Sequence, residues 1–401
     1  MIFPGHSKLR PVATKFNQML DCEMKRISVL IPDADVRLNV ACCLEVSRQA
    51  VVHGLAQHPA PLLRHSRFFA SFEECKGEFD VKLWLSRIGE IVEERQIDVV
   101  LPISEFAIRT LSEQQKLLGW GAKLPPLPNP HTFDIATNKA KLADFLDSYG
   151  IPHPPTVVVT IGIPARDRLS ALEFPVLAKP PLSTRGIGIK RFEDLEALTA
   201  FLAEQPSDER WVVQKLIEGR DLCINVLCRD GQILAATVQH AIKAPSKPFE
   251  SPIGIEFRDD PQAMNVAERL IRELDWSGIA NIDMRFDAQH KIPLVLEING
   301  RYWFSLLGSL NAGVNFPLST CEMCLGDLRA NLKPHKARYF SGKESALLSL
   351  VGGGKLRIRP HETNLRYLDL LPTAIRLAKS ATASVRMRCS RILPRITGWS
   401  V

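Results

Sequence analysis

The sequence predicts an α/β protein in which a parallel-sheet domain precedes a region of antiparallel sheets and helices. Three observations carry this. Between residues 27 and 118, short apolar strands alternate with helical stretches, the pattern of a parallel sheet. Pro125, Pro126, Pro128 and Pro130 then mark a boundary or a stiff connection. Beyond them the texture changes to paired strands, most clearly in Ile279 to Arg301, IANIDMRFDAQHKIPLVLEINGR.

Residues 1–24 lack usable periodicity, and Met24 opens a stretch, MKRISVLIPDAD, that itself reads as a protein start. They are expected to be a disordered extension. Ile27 to Ile31 reads as a buried strand and Leu38 to His53 as a helix. Arg67 to Ser71 reads as a short strand, Val81 to Arg95 as a helix, Asp98 to Ile103 as a strand and Glu105 to Leu118 as a helix. The glycine fingerprint of a dinucleotide site is missing after the first strand, where the chain reads PDADVRLN, so NAD binding there is disfavoured. Ligands of such sheets bind at the carboxyl ends of the strands. Asp33, Asp35 and Glu105 are therefore candidate substrate contacts, with helix capping as their alternative role.

A helix is expected from Asn138 to Tyr149, stopped by Gly150, Pro152, Pro154 and Pro155. Pro175 to Lys179 and Trp211 to Ile217 read as strands, and Leu222 to Cys228 pairs with Ile233 to His240 around Arg229-Asp230-Gly231. Residues 241–258 read as a mobile basic loop, and Gln262 to Leu274 as a helix. The domain expectation is an extension at 1–24, a parallel α/β domain at 25–129, a second unit at 130–327 divided near 157–215 and 216–327, and a basic region at 328–401.

Composition narrows the class. Of 401 residues, 45% are hydrophobic and 24% charged, an ordinary globular balance. No apolar run approaches the roughly 20 residues of a membrane span, and the first 23 residues lack the pattern of a signal peptide, which leads to the expectation of a cytoplasmic protein. Nine cysteines, an odd and scattered set, suggest reduced thiols, with Cys321-x-x-Cys324 read as core packing. The net charge of +7 is uneven: from Lys355 onward ten basic residues face two acidic ones, a net of +8 that leaves −1 for the rest. Ala374, Ala378, Ala381, Val385, Cys389 and Ile392 lie at helical spacing there. A surface helix touching anionic lipid or an acidic partner is one reading, and packing on the protein's own body the other. Nucleic acid is not expected as a partner, because aromatic interleaving and any recognisable module are missing.

The hairpin at 279–301 carries the chemistry. A register centred near Gln289 or His290 places Ile282, Met284 and Phe286 on one face with Leu294, Leu296 and Ile298. Asn281, Asp283 and Arg285 fall on the other with Glu297, Asn299 and Arg301. Two carboxylates and an amide oxygen on a rigid sheet, rimmed by arginines, suit a hard divalent cation that carries phosphates. Upstream, Lys179 ends a strand directly before Pro180-Pro181-Leu182-Ser183-Thr184-Arg185-Gly186-Ile187-Gly188. Small, hydroxyl and glycine residues there let backbone N–H groups approach an anion, as a flap over a triphosphate would.

In the order Lys139, Lys179, flap, strand 211–217 and acidic hairpin, the chain resembles the ATP-grasp superfamily, particularly its carboxylate-amine ligases and carbamoyl-phosphate-synthase-like members. The resemblance spans roughly residues 130–325, with a pre-grasp domain before it, and implies a grasp of two α+β subdomains. It implies that Lys139 and Lys179 hold ATP phosphates under the flap of Ser183, Thr184, Arg185 and Gly186. Val212 to Gly219 is similar to the segment whose backbone reads adenine, which brings in Gln214, Lys215 and Ile217, and Asp221 matches a position near the ribose. LEIN-G-R resembles the family's LEINPR, so Asp283, Glu297 and Asn299 fall on Mg²⁺ ligands, with Mn²⁺ as an alternative ion, and Arg301 on the phosphate-contacting arginine. Lys215 departs from a commonly acidic position, and Gly300 replaces a proline, which should loosen the strand end slightly.

The resemblance implies a ligase that activates a small carboxylate as an acyl phosphate and joins it to an amine or similar nucleophile, with Arg301 and Lys179 as the catalytic pair. A kinase on the same fold and a nucleotide-binding module without catalysis are the alternatives. A homo-oligomer is compatible with either.

Overall fold

The computed structural model describes residues 26–340 except 37, 61, 116–117, 181–186, 244–251, 253, 328–331 and 333. The expected extension at 1–24, the flap residues Ser183, Thr184, Arg185 and Gly186, and the basic tail lie outside the described residues.

The first sheet is parallel. β1 (Ile27–Ile31) leads through α1 (Leu38–Val46) to β2 (Ala50–Ala56) and β3 (Ser71–Glu74). α2 (Val81–Arg95), β4 (Val99–Val100) and α3 (Glu105–Gln114) follow, and the strand order is β3-β2-β1-β4. α2 shows why such a sequence folds locally. Asp80 caps it by accepting from the Leu83 N–H, Trp84, Ile88, Ile91 and Val92 form its buried stripe, and Gln96 in the left-handed region ends it.

Two expectations fail in this domain. The helix read from Leu38 to His53 stops at Val46, and its second half is β2. Arg48 turns the chain at φ 59° without a glycine or proline to announce it, and β-branched Val51 and Val52 then pair with β1. The strand read at Arg67 to Ser71 is displaced: Leu63–His65 is a 3₁₀ turn and β3 begins at Ser71.

β1 lies between β2 and β4, so the chain reverses its direction of winding at the carboxyl ends of β1 and β4. Asp33 fills that point. It is fully buried and accepts from the backbone N–H groups of Ile103 (3.1 Å) and Ser104 (2.7 Å), which ties the loop after β1 to the loop after β4. Burial pushes its carboxyl up to about 7 against the pull of those donors. Asp33→Ala, which orphans both N–H groups, is expected to cost about 1–3 kcal/mol in urea unfolding. An unchanged midpoint would show that water replaces the carboxylate.

Two helices follow, α4 (Pro130–Thr137) and α5 (Lys139–Ser148), where one was expected. Asn138 separates them and caps α5 through the N–H groups of Ala140 and Lys141. The second sheet contains β5 (Thr156–Thr160), β6 (Val176–Lys179), β7 (Lys190–Phe192) and β8 (Arg210–Lys215) in the order β5-β8-β6-β7. α6 (Arg166–Ser170) and α7 (Leu195–Ala203) pack on it.

The third sheet has six antiparallel strands. β9 (Gly219–Arg229) and β10 (Gln232–Lys243) form the expected hairpin, followed by β11 (Gly254–Phe257), α8 (Pro261–Glu273), β12 (Gly278–Asp287) and β13 (Pro293–Asn299). α9 (Leu306–Asn311), α10 (Phe316–Leu325) and β14 (Ala337–Phe340) complete it, in the order β13-β12-β9-β10-β11-β14. The stretch 241–258, read as a mobile loop, is bounded by strand at both ends. β10 runs to Lys243, and β11 pairs with both β10 and β14.

One core joins the first and third sheets, with Val40 and Cys43 of α1 in the same cluster as Ile224, Ile282, Trp303 and Phe316. Asn39 Nδ2 donates to the Trp303 carbonyl (3.2 Å) and Asn315 Nδ2 to the Cys43 carbonyl (2.8 Å), so the segment after β13 is pinned to the parallel domain. The result is an α/β architecture of one parallel sheet and two antiparallel sheets, as the sequence indicates. Cys321 is buried on α10, and the Cys324 thiol donates to the Thr320 carbonyl. Among the described residues no helix is long and apolar enough to cross a membrane.

Candidate active site

β12 and β13 pair Asn281 with Asn299, Ile282 with Ile298 and Asp283 with Glu297, the expected register. A bulge then intervenes, and Met284 faces Val295 while Arg285 faces Leu294. The expected apolar face of Leu294, Leu296 and Ile298 is therefore wrong at Leu296. One extra residue reverses the parity of the strand, so Val295, fully buried, takes the core position. Leu296 instead lines a pocket with Lys139, Lys179, Gln214 and His153.

On the polar face, Asp283 and Glu297 meet across the ladder. Burial, then the charge of Glu297, pushes the Asp283 carboxyl up to about 8. Burial also acts on Glu297, but the ammonium of Lys139, the hydrogen bond with Asp283 and Lys179 hold it below the usual carboxylate range. Two facing, half-buried carboxylates that repel one another are the electrostatic demand that a divalent cation meets. Asn299 adds an amide: Nδ2 donates to Asp283 Oδ2 (3.1 Å) and to Asn281 Oδ1 (3.2 Å). Among the described residues no three His, Cys, Asp or Glu side chains are gathered as a metal-ligand set.

Three cations surround this pair. Lys139, the first residue of α5, places Nζ 3.3 Å from Glu297 Oε2. Lys179, at the buried end of β6, donates to Gln214 Oε1 (2.6 Å), and Gln214 Nε2 donates in turn to Thr156 Oγ1 (2.9 Å). Burial, reinforced by Lys139 and opposed by Glu297, pushes the Lys179 ammonium down to about 8. Arg301 Nη2 donates to Asn299 Oδ1 (2.9 Å), and its Nε lies 3.4 Å from Glu105 Oε1 at the start of α3. Of Asp33, Asp35 and Glu105, the candidate contacts at the carboxyl ends of the parallel strands, Glu105 alone reaches this cluster. Asp33 is used by the fold, and Asp35 accepts from the Gln57 N–H (2.9 Å) and sits 3.2 Å from His58.

The link between β8 and β9 runs beside the cluster. The Lys215 N–H donates to the Pro155 carbonyl (2.9 Å), its side chain pairs with Glu173, the Ile217 carbonyl accepts from Arg285, and Asp221 pairs with Arg285. Gly219 begins β9 where a Cβ would lie 1.8 Å from the Phe286 carbonyl oxygen, so only glycine fits there. Gly300 does not loosen the strand end as expected. A Cβ there would lie 2.7 Å from the Phe133 ring and 3.1 Å from Trp276, so its smallness allows two aromatic rings to close on the strand.

Sequence reasoning missed four residues of this face. Cys223 and Asn225 of β9 stand beside Asp283 and Asn281, and the Cys223 thiol donates to Asp283 Oδ1 (2.7 Å). Strand-pairing partners bring them there, and no local motif marks them. Leu296 and His153 enter through the bulge and through the proline-rich turn before β5.

Residues 207–342 match a family model described as "ATP-grasp in the biosynthetic pathway with Ter operon". The large chain of carbamoyl phosphate synthase from Pyrococcus furiosus is 25% identical over 268 residues, 63% of this chain and 24% of that protein. A D-alanine–D-alanine ligase from Verminephrobacter eiseniae is 24% identical over 180 residues, 41% of this chain and 54% of its own length. The chain thus spans about a quarter and about half of these curated relatives. The biotin carboxylase domain of Hydrogenobacter thermophilus 2-oxoglutarate carboxylase, solved with MgADP, superposes with a TM-score of 0.57. That match is 14% identical and covers 77% of this chain and 73% of that one. Residues 207–342 thus match an ATP-grasp family model, and the fold of the described residues is similar to that of the biotin carboxylase domain.

Proposed function

We propose that the chain is an ATP-dependent ligase that activates a carboxylate as an acyl phosphate and joins it to an amine or similar nucleophile. The observation that carries this reading is the convergence of Lys139, Lys179 and Arg301 on the Asp283–Glu297 pair, a cationic ring around a carboxylate pair that needs a cation of its own. Residues 130–327 would form the catalytic unit and 25–129 the pre-grasp domain.

The donor set fits Mg²⁺: hard oxygen ligands from Asp283, Glu297 and Asn299, few enough to leave room for phosphates and water. When bound, the ion would neutralise phosphate oxygens and act as a Lewis acid. The chain's own residues do the rest. Lys139 and Lys179 bind the phosphate chain, and the low ammonium pKa of Lys179 reflects a cation held ready in a buried place for an anion. Arg301 offsets charge on the transferred phosphoryl group. A carboxylate oxygen attacks the γ-phosphorus and ADP leaves. The amine nitrogen then attacks the acyl carbon, loses a proton and expels phosphate, so no side-chain nucleophile is required. Leu296 and Val212 give the pocket apolar walls, and a flap over the site would keep water from the acyl phosphate.

The test is a screen for ADP release across pooled amino acids, small carboxylic acids and amines, with mass analysis of the product. A joined product supports the ligase. A phosphorylated product with no second substrate attached identifies a kinase instead, and no ADP from any pool together with no nucleotide binding would remove the reading.

A further inference from the structure

On the reading just given, we infer that loading of the cation at Asp283 and Glu297 releases Arg301 to the nucleotide phosphates, through the carboxamide of Asn299. Arg301 Nη2 donates to Asn299 Oδ1 (2.9 Å), and a guanidinium has no acceptor, so the oxygen end of the amide must face it. The nitrogen end faces Asp283 Oδ2 (3.1 Å), Asn281 Oδ1 (3.2 Å) and Glu297 Oε1 (3.5 Å). A hard cation seated with the two carboxylates takes oxygen, not N–H. Asn299 can join it only by turning its amide over. That turn withdraws the acceptor from Arg301 and presents N–H to N–H. The guanidinium keeps Glu105 (3.4 Å) and the Tyr302 carbonyl (3.3 Å), and its Nη2 is left to take a phosphate oxygen.

The amides behind Asn299 make this reversal complete. Asn281 Nδ2 donates to Asn225 Oδ1 (2.9 Å), Asn225 Nδ2 donates to Thr237 Oγ1 (3.1 Å), and Thr237 lies 3.2 Å from Ser309 Oγ. Once Asn299 turns, Asn281 Oδ1 would meet another oxygen, so Asn281 must turn, and Asn225 after it. The chain ends on the hydroxyls of Thr237 and Ser309, which can donate or accept. It also ends on Gln239, whose Oε1 lies 3.5 Å from Asn225 Nδ2 and accepts from Ser305 Oγ (2.8 Å). Gln239 must therefore turn with Asn225 while the Ser305 hydroxyl rotates to accept. Asn225 is fully buried and Asn281 is 6% exposed, so an arrangement that stops halfway leaves unpaired polar groups away from water. Two fully paired arrangements therefore exist, and the cation selects between them. Asn281 and Asn225 are positioning residues in this scheme, and they touch neither ion nor nucleotide.

The test is the affinity for AMP-PNP, measured by calorimetry for the wild-type chain and for Arg301→Gln, with excess Mg²⁺ and with EDTA. The expected loss on replacing Arg301 is about tenfold or more with Mg²⁺ and less than about threefold with EDTA, the factor for one charge-assisted hydrogen bond made only in the loaded state. Unassisted electrostatics gives the opposite order, since an arginine matters more to a phosphate chain stripped of its cation. A loss with EDTA as large as the loss with Mg²⁺ overturns the inference. The same cycle in Asn299→Asp is the second variant. A carboxylate offers oxygen to both sides at once, so the Arg301→Gln loss should become equal in the two buffers, and a persisting difference overturns the inference as well. Wild-type chain that binds no AMP-PNP in either buffer removes the nucleotide reading and this inference with it. Normal binding with the wrong order removes the inference alone.

Discussion

Glu297→Gln is expected to lower ADP formation by at least about a hundredfold while the chain stays folded, the scale seen when one electrostatic contact to a transferred group is removed. Glu297 links the carboxylate pair to the two lysines. It opposes Asp283 across the ladder, pairs with Lys139 and supports the charge of Lys179. The amide keeps the shape of the side chain and removes the charge that makes the carboxylate pair demand a cation. Asp283 should then ionise more readily, because its partner no longer repels it, so the cost falls on the ion and not on the fold. The check is ADP release together with thermal unfolding. Wild-type turnover in the variant would contradict the assignment, and a collapse of the unfolding midpoint would show that the pair is structural.

Lys179→Met should show two effects of opposite sign. Nucleotide affinity should fall by about ten- to a hundredfold, the value of one or two charge-assisted hydrogen bonds. Stability should respond to pH in the other direction. The Lys179 ammonium is pushed from 10.5 down to about 8 by burial, so the folded state disfavours its charge. That penalty is fully present below about 8 and fades as pH rises from 8 to 10.5, where both folded and unfolded chains lose the proton. Wild-type stability should therefore climb relative to Lys179→Met across this window, by an amount on the order of 3 kcal/mol. Parallel stability curves for the two proteins between pH 7.5 and 10.5 would mean that Lys179 carries no buried charge.

The parts of this molecule legible in its sequence are those with a local period. Val81 to Arg95 reads as a helix because its apolar spacing and its Asp80 cap are both in the string, and the structure returns the same bounds. The hairpin reads because strict alternation over two arms fixes which residues share a face, and Asp283 does meet Glu297. The bulge at Leu296 does not read, since no glycine or proline marks it and only the pairing with β12 creates it. β2 is hidden inside an apparent helix for a similar reason: no glycine or proline marks the turn at Ser47-Arg48-Gln49, where Ser47 Oγ accepts from the Gln49 N–H (3.1 Å) and Arg48 takes a positive φ. Lys139 and Lys179 are legible through motif order. Their approach to Glu297 from two different elements needs the third dimension. So does the polar layer of Cys223, Asn225, Thr237 and Asn281, whose members lie on three strands and become neighbours only through the β10-β9-β12 ladder.

The most direct measurement is a crystal of the chain grown with MnADP, read for the anomalous signal of manganese. The expected result is a peak within coordination distance of Asp283, Glu297 and Asn299, with the phosphates toward Lys139 and Lys179. A manganese peak elsewhere, or ADP bound away from the β12–β13 face, would contradict the assignment of this hairpin as the floor of a nucleotide site.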